Sequence, residues 1–224
     1  MTGLRRVVLL RHGRTGDNAA GRIQGQLDTP LDDTGRAQAA AVAPLLAAAR
    51  PALVLSSDLV RARDTAAPLV AQAGVELRLD ARLRELDLGA WQGLTTQEAR
   101  ERFPEEHEAW RNGRDLPRGG GETYRQAGDR AAQCVREALP QVPPAGVLVA
   151  VTHGGTGRAA IGALLEADPT AWWQFAPLAN CCWSVLVEHP RGWRLERHGV
   201  GPDALADPAS WGDVSARPQA APVR

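Results

Sequence analysis

Apolar residues in this chain fall into short unbroken blocks separated by longer stretches of mixed pattern. VVLL at 7–10, ALVLSS at 52–57 and VLVAVTHGG at 147–155 are short and continuously apolar, as expected for strands buried on both faces of a sheet. Between them lie helical patterns. Residues 31–50 combine polar start signals with strong helix formers, and Pro44 marks a place for a kink. Residues 58–74 read as a helix opened by Asp58, carrying Pro68 inside it and closed by Gly74. Residues 122–142 form a long amphipathic pattern ended by Pro-Pro-Ala-Gly, and 157–167 a shorter one. Residues 75–80 alternate as a short strand, and 182–189 and 192–199 alternate as an antiparallel hairpin. Strands and helices in succession predict an α/β fold: a three-layer sandwich with a mostly parallel central sheet, helices on both faces and an antiparallel edge strand.

Residues 82–121 break this rhythm with tryptophans, glycines and charges, and read as an excursion over the active face with one or two short helices. With 224 residues and 44% hydrophobic content, a single domain over 1–202 is expected, followed by a Pro/Ala/Gly-rich tail at 203–224.

Charge and cysteine content narrow the chemistry. The 26 acidic residues balance 26 basic ones, so no net field draws the chain to nucleic acid or an anionic membrane. All of the basic residues are arginine. Lysine Schiff-base chemistry, a pyridoxal-phosphate lysine and a P-loop lysine are therefore excluded. Three cysteines, two of them adjacent, match neither a disulfide framework nor a zinc spacing. With no apolar run long enough for a signal peptide core or a membrane span, a soluble cytoplasmic protein is expected.

Two strands end alike. VLLRHGRTG and VAVTHGGTG both run from apolar residues into His-Gly, and ligands in open parallel sheets sit at the carboxyl ends of the strands. His12 and His153 would then face one crevice. One such histidine is ordinarily a hydrogen-bonded structural residue; two at matching strand ends favour function. A metal site is the weaker reading, since no carboxylate or cysteine lies at ligand spacing and Arg11 repels a cation. Arg11 instead offers a planar fork for an oxyanion, and Arg61, early in the 58–74 helix, repeats the theme.

At this point the sequence resembles a known family. LLRHGRTGDN (9–18) carries the Arg-His-Gly signature of the histidine phosphatase superfamily, which includes phosphoglycerate mutases and many phosphomonoesterases. GRIQGQLDTPLDDTGRAQA (21–39), SSDLVRARDTA (56–66), LRELDLGAWQG (83–93) and VTHGG (151–155) follow in the family's order. The resemblance implies that His12 is a transiently phosphorylated nucleophile and that Arg11, Arg61 and His153 surround the phosphoryl oxygens. It further implies that Glu85 is the general acid, its pKa raised by neighbouring leucines against the pull of the arginines. Asn18, Gln24, Thr15 and Gly154 complete the expected substrate-binding set, with no metal and no cofactor.

The resemblance also separates hydrolysis from isomerisation. Mutases of the family carry a tryptophan before the asparagine of the first motif, and lysines that grip the substrate carboxylate. This chain has Asp17 before Asn18 and no lysine, which favours a phosphatase over the alternatives, a cofactor-dependent phosphoglycerate mutase or a catalytically silent phosphate-binding module. IQGQLDTPL, SSDLVRARDTA, LGAWQGLT and GGGE resemble the actinobacterial glucosyl-3-phosphoglycerate phosphatases in particular. That resemblance implies a carboxylate-binding arginine between 100 and 125, with Arg111, Arg114 and Arg118 the candidates, and a sugar-stacking wall among Trp110, Trp172, Trp173 and Trp183. The partner expected is a small phosphorylated substrate, with homodimerisation left open.

Overall fold

A computed structural model describes residues 3–202; the tail expected at 203–224 lies outside the described residues. Six strands form one sheet in the order β3-β2-β4-β1-β5-β6: β1 (Arg6–Arg11), β2 (Leu53–Ser56), β3 (Leu77–Leu79), β4 (Val147–Thr152), β5 (Trp183–His189) and β6 (Gly192–Val200). β1, β4, β2 and β3 pair in parallel, whereas β5 and β6 add an antiparallel hairpin beside β1.

Alternation along the buried strands sends successive side chains to opposite faces and so builds two cores. Val7, Leu9, Leu53, Leu55, Leu148 and Ala150 pack on one face beneath α6 (Tyr124–Ala138) and α7 (Gly154–Leu164). Val8, Leu10, Val54, Val149 and Val151 face α2 (Asp33–Ala48) and α3 (Val60–Ala73) on the other. The three-layer arrangement follows from the unbroken apolar blocks, because a strand apolar on both faces must be covered on both.

Local details differ from the pattern reading. α3 begins at Val60 after Leu59, with no side-chain cap; Asp58 instead receives two hydrogen bonds from Arg84 at 2.7 and 2.5 Å. The ion pair competes for the carboxylate that would have capped the helix. Gly74 closes α3 in the left-handed region, at φ 67°. Pro44 and Pro68 lie within continuous helices α2 and α3. α7 starts at Gly154, earlier than its alanine-rich stretch indicates, directly after His153. A four-residue helix α1 (Gly16–Ala19), absent from the pattern reading, is capped by Thr15, whose hydroxyl accepts from the Asn18 N–H.

The excursion contains α4 (Thr96–Arg102), α5 (Pro104–Arg111) and three single 3₁₀ turns. Its own small core of Leu86, Leu88, Trp91 and Ala99, shared with Ala127 of α6, holds it over the carboxyl ends of β1 and β4.

Candidate active site

Register brings the two His-Gly segments together. Arg11 is opposite Thr152, so the residues that follow, His12 and His153, leave adjacent strand ends, and the His12 N–H still donates to the Thr152 carbonyl at 3.0 Å. The imidazole ring centroids are 5.1 Å apart and both residues are buried.

Hydrogen bonds fix the tautomers. His12 Nδ1 lies 2.7 Å from the Gly13 carbonyl, which can only accept, so Nδ1 carries the proton and Nε2 keeps its lone pair. His12 Nε2 makes no hydrogen bond among the described residues. His153 Nδ1 accepts from Arg61 Nε at 3.2 Å, which leaves Nε2–H to donate to the Ser57 hydroxyl at 2.9 Å. Both nitrogens of His153 are therefore committed to protein partners. Burial holds the pKa of His12 well below the ordinary histidine value, and the neighbouring His153, Arg61 and Arg11 disfavour a further positive charge there. His153 is lowered in the same way, by burial first and then by Arg61 and Arg11.

Arg61 is fully buried, and besides binding His153 it donates to the Leu27 carbonyl at 2.6 Å and the Gly25 carbonyl at 2.7 Å. Arg11 donates to the Leu178 carbonyl at 2.6 Å while its buried Nε–H has no partner. A guanidinium with a buried, idle donor is an incomplete site that an anion would complete. Burial lowers the pKa of both arginines, and a guanidinium stays charged in proteins, so both act as cations.

Glu85 overturns one expectation. Its Oε1 accepts from the Thr156 N–H at 2.8 Å, the Leu86 N–H at 3.0 Å and the Thr156 hydroxyl at 3.1 Å. Oε2 accepts from the Gly155 N–H at 3.0 Å. Burial pushes the Glu85 pKa up, but these amides at the start of α7 and the Arg61 charge outweigh it, and the net shift is downward. The leucines expected to raise it are present, yet the helix terminus wins.

His12, Arg11, Asn18, Gln24, Arg61 and Glu85 line one cavity of about 200 Å³, closed on its far side by Leu88, Trp91, Trp110 and Arg118. Asn18 is held by Asn180, whose side-chain amide bridges the Asn18 Oδ1 at 3.1 Å and the His12 carbonyl at 3.0 Å. Gln24 is buried, and its Oε1 has no partner. Three expected residues stand outside the lining: Thr15, Gly154 and His153, the last fully buried between Arg61 and Ser57. Thr15 is fully buried as the cap of α1, and Gly154 lies beneath the Arg11 guanidinium, where an added Cβ would sit 3.5 Å from Cζ.

Sequence reasoning did not single out Ser57, Asn180 or the α7 amides. Ser57 carried a signal, a polar residue completing an apolar strand; Asn180, far off in sequence and in no motif, carried none. Of the aromatic wall, Trp183 is fully buried in the core, whereas the nearly buried Trp172, the exposed Trp173 and Trp110, which also borders the inner cavity, line an outer cavity of about 520 Å³ with Arg111, Arg114 and Arg158. Asp17 accepts from the Thr29 hydroxyl at 2.6 Å. Burial pushes the Cys134 and Cys181 thiols up to about 12, so neither supplies a thiolate at neutral pH. No described helix is long and apolar enough to cross a membrane.

Known proteins share this arrangement at the level of whole chains. A glucosyl-3-phosphoglycerate phosphatase of Mycolicibacterium vanbaalenii is 39% identical over 217 residues, covering 94% of this chain and 91% of that protein. A metal-independent phosphoserine phosphatase of Arabidopsis thaliana is 34% identical over 93% of this chain and 82% of its own length. Among solved structures, a mycobacterial glucosyl-3-phosphoglycerate phosphatase in complex with VO3 superposes with a TM-score of 0.83 at 40% identity, covering 88% of this chain and all of that one. The model of the histidine phosphatase superfamily (branch 1) matches residues 7–201. With the paired histidines, the arginine cradle and a match running from the first strand to the last, the chain belongs to the histidine phosphatase superfamily.

Proposed function

We propose that this protein is a phosphomonoesterase working through a phosphohistidine at His12, with glucosyl-3-phosphoglycerate as its substrate. The observation that carries the mechanism is the His12 ring: Nδ1–H is tied to the Gly13 carbonyl, and an unencumbered Nε2 lines the cavity between two arginines. Nucleophilic attack requires a neutral imidazole, and the depressed pKa of His12 supplies it.

In this reading the ester phosphate settles against Arg11 and Arg61, whose fixed charges stabilise the non-bridging oxygens during transfer. Asn18 and Gln24 donate to the same oxygens, and His153 holds Arg61 in place through its Nδ1. His12 Nε2 forms the N–P bond as the ester P–O bond breaks, and the departing alkoxide takes a proton from Glu85. Glu85 is a carboxylate while the cavity holds no anion, so it must take up a proton from solvent as the substrate binds. A phosphate dianion nearby raises the Glu85 pKa by like-charge repulsion and makes that protonation possible. Water then attacks the phosphohistidine, Glu85 accepts its proton, and inorganic phosphate leaves. Thr15 and Gly154 support this machinery from behind, through α1 and the Arg11 seat.

The substrate assignment draws on the names of the mycobacterial relatives and on coverage of nearly the whole chain. We place the reaction in the cytoplasm. The test is a screen of phosphorylated metabolites that includes glucosyl-3-phosphoglycerate, read as free phosphate. Release fastest from that ester is expected. Isomerisation of 3-phosphoglycerate outrunning its hydrolysis, with a bisphosphate primer present, would reveal a mutase, and no turnover by a folded protein would reveal a silent binder.

A further inference from the structure

The turn that leads into β5 grips the end of β1 from behind. The Leu178 carbonyl accepts from Arg11 Nη1 at 2.6 Å, and the Cys182 carbonyl accepts from the Arg11 N–H at 3.0 Å. Between them the Cys181 N–H is shared by the carbonyls of Arg11 and His12, at 3.1 and 3.3 Å. The turn itself is tight. The Cys182 N–H donates to the Ala179 carbonyl at 3.0 Å, and Cys181 adopts φ 53°, a left-handed conformation that a non-glycine residue keeps only where its surroundings impose it. Asn180 is thereby carried against His12 and Asn18, the latter 162 residues away in sequence.

Every role in the resulting chain of hydrogen bonds is forced. The Thr15 N–H can only donate, so the Asn18 atom facing it at 3.3 Å is the oxygen, Oδ1. The His12 carbonyl can only accept, so the Asn180 atom beside it is Nδ2, whose second hydrogen goes to Asn18 Oδ1. The bond from Thr15 is long, and α1 has only four residues, so the donor from Asn180 is what fixes the Asn18 amide. With two donors on its oxygen, Asn18 keeps its NH2 for the cavity that it lines beside His12, and that NH2 donates to nothing among the described residues.

We infer that Asn180 is a positioning residue for phosphoryl transfer, orienting the Asn18 amide so that an N–H, and not a carbonyl oxygen, meets the phosphate. The inference deepens the phosphatase reading and rests on it. An asparagine amide has two nearly isosteric orientations, and the reversed one would turn lone pairs toward a dianion, replacing attraction by repulsion. Asn180 touches no reacting atom and acts through Asn18. Its bond to the His12 carbonyl keeps its own amide from turning.

The test is a double-mutant cycle read in kcat/KM for p-nitrophenyl phosphate. Asn180→Ala should lower kcat/KM about tenfold when Asn18 is present, the worth of one charge-assisted hydrogen bond. In an Asn18→Ala background, where there is no amide to orient, the same change should cost less than twofold. Equal losses in the two backgrounds would overturn the inference and leave Asn180 as a brace for the His12 backbone. Wild-type kcat/KM in Asn18→Ala would overturn it as well. Should Asn180→Ala fail to fold, wild-type protein decides by NMR: the Asn180 side-chain NH2 should exchange slowly with water, and the Asn18 NH2 signals should shift when inorganic phosphate binds. Exchange as fast as that of an exposed asparagine, or Asn18 signals unmoved by phosphate, overturns the inference. Should the wild type hydrolyse no ester, the phosphatase reading fails separately, and the same cycle read as the Kd for inorganic phosphate still tests Asn180.

Discussion

Replacing Glu85 by Gln separates the two tasks placed on this side chain. The carboxylate accepts three backbone N–H bonds and one hydroxyl bond. A glutamine can keep its oxygen toward Thr156 and Leu86, but its NH2 then faces the Gly155 N–H, donor against donor. One charge-assisted bond is lost and one amide is stranded, a cost of about 2 kcal/mol. For a chain of this size that corresponds to a drop in Tm of roughly 4–8 °C. Loss of the general acid should lower kcat by about 10²–10⁴ for an alkyl phosphate, whose alkoxide needs a proton to depart. For p-nitrophenyl phosphate, whose phenolate leaves unassisted, the phosphorylation step should fall far less. Stopped-flow or burst kinetics on both esters, below the variant's melting temperature, read the difference. Equal losses on the two esters would refute the proton-donor role and leave Glu85 as a clamp on the start of α7.

The two histidines make stability depend on pH. Their folded pKa values lie below the unfolded value of about 6.5, so on acidification the unfolded chain takes up protons that the folded one refuses. Stability should be full above that unfolded value and fall as pH drops below it; Glu85, depressed in the fold, adds a further loss below about pH 4.5. Urea titrations from pH 8 to 5 should show this decline, and a flat profile would contradict neutral buried imidazoles. Gly13→Ala would place a Cβ 2.5 Å from the Gly35 carbonyl oxygen, overpacking worth about 1–3 kcal/mol, and would disturb the carbonyl that orients His12. Both Tm and kcat should fall, whereas Gly16→Ala, which meets nothing within 4 Å, should change neither.

Sheet and clamp were readable because both follow from one-dimensional patterns. Continuous apolar blocks demanded strands covered on two faces, and an arginine-histidine pair at a strand end demanded an anion. The motif order then placed Gln24, Arg61 and Glu85, all of which line the same cavity as His12. What stayed hidden depends on three-dimensional competition. The Glu85 pKa turns on whether leucines or helix amides lie nearer its oxygens, which no spacing reveals. The start of α3 shifted because Arg84, twenty-six residues away, captured Asp58. Arg118 resembled any loop arginine until three rings from three segments closed around it.

The central claim is a covalent phosphoryl group on His12. Wild-type protein mixed with radiolabelled substrate, quenched in alkali within milliseconds and digested, should yield label on the peptide carrying His12. That label should survive base, be lost in acid, and be missing from His12→Ala. Label on another residue, or steady-state hydrolysis by His12→Ala at the wild-type rate, would contradict the mechanism.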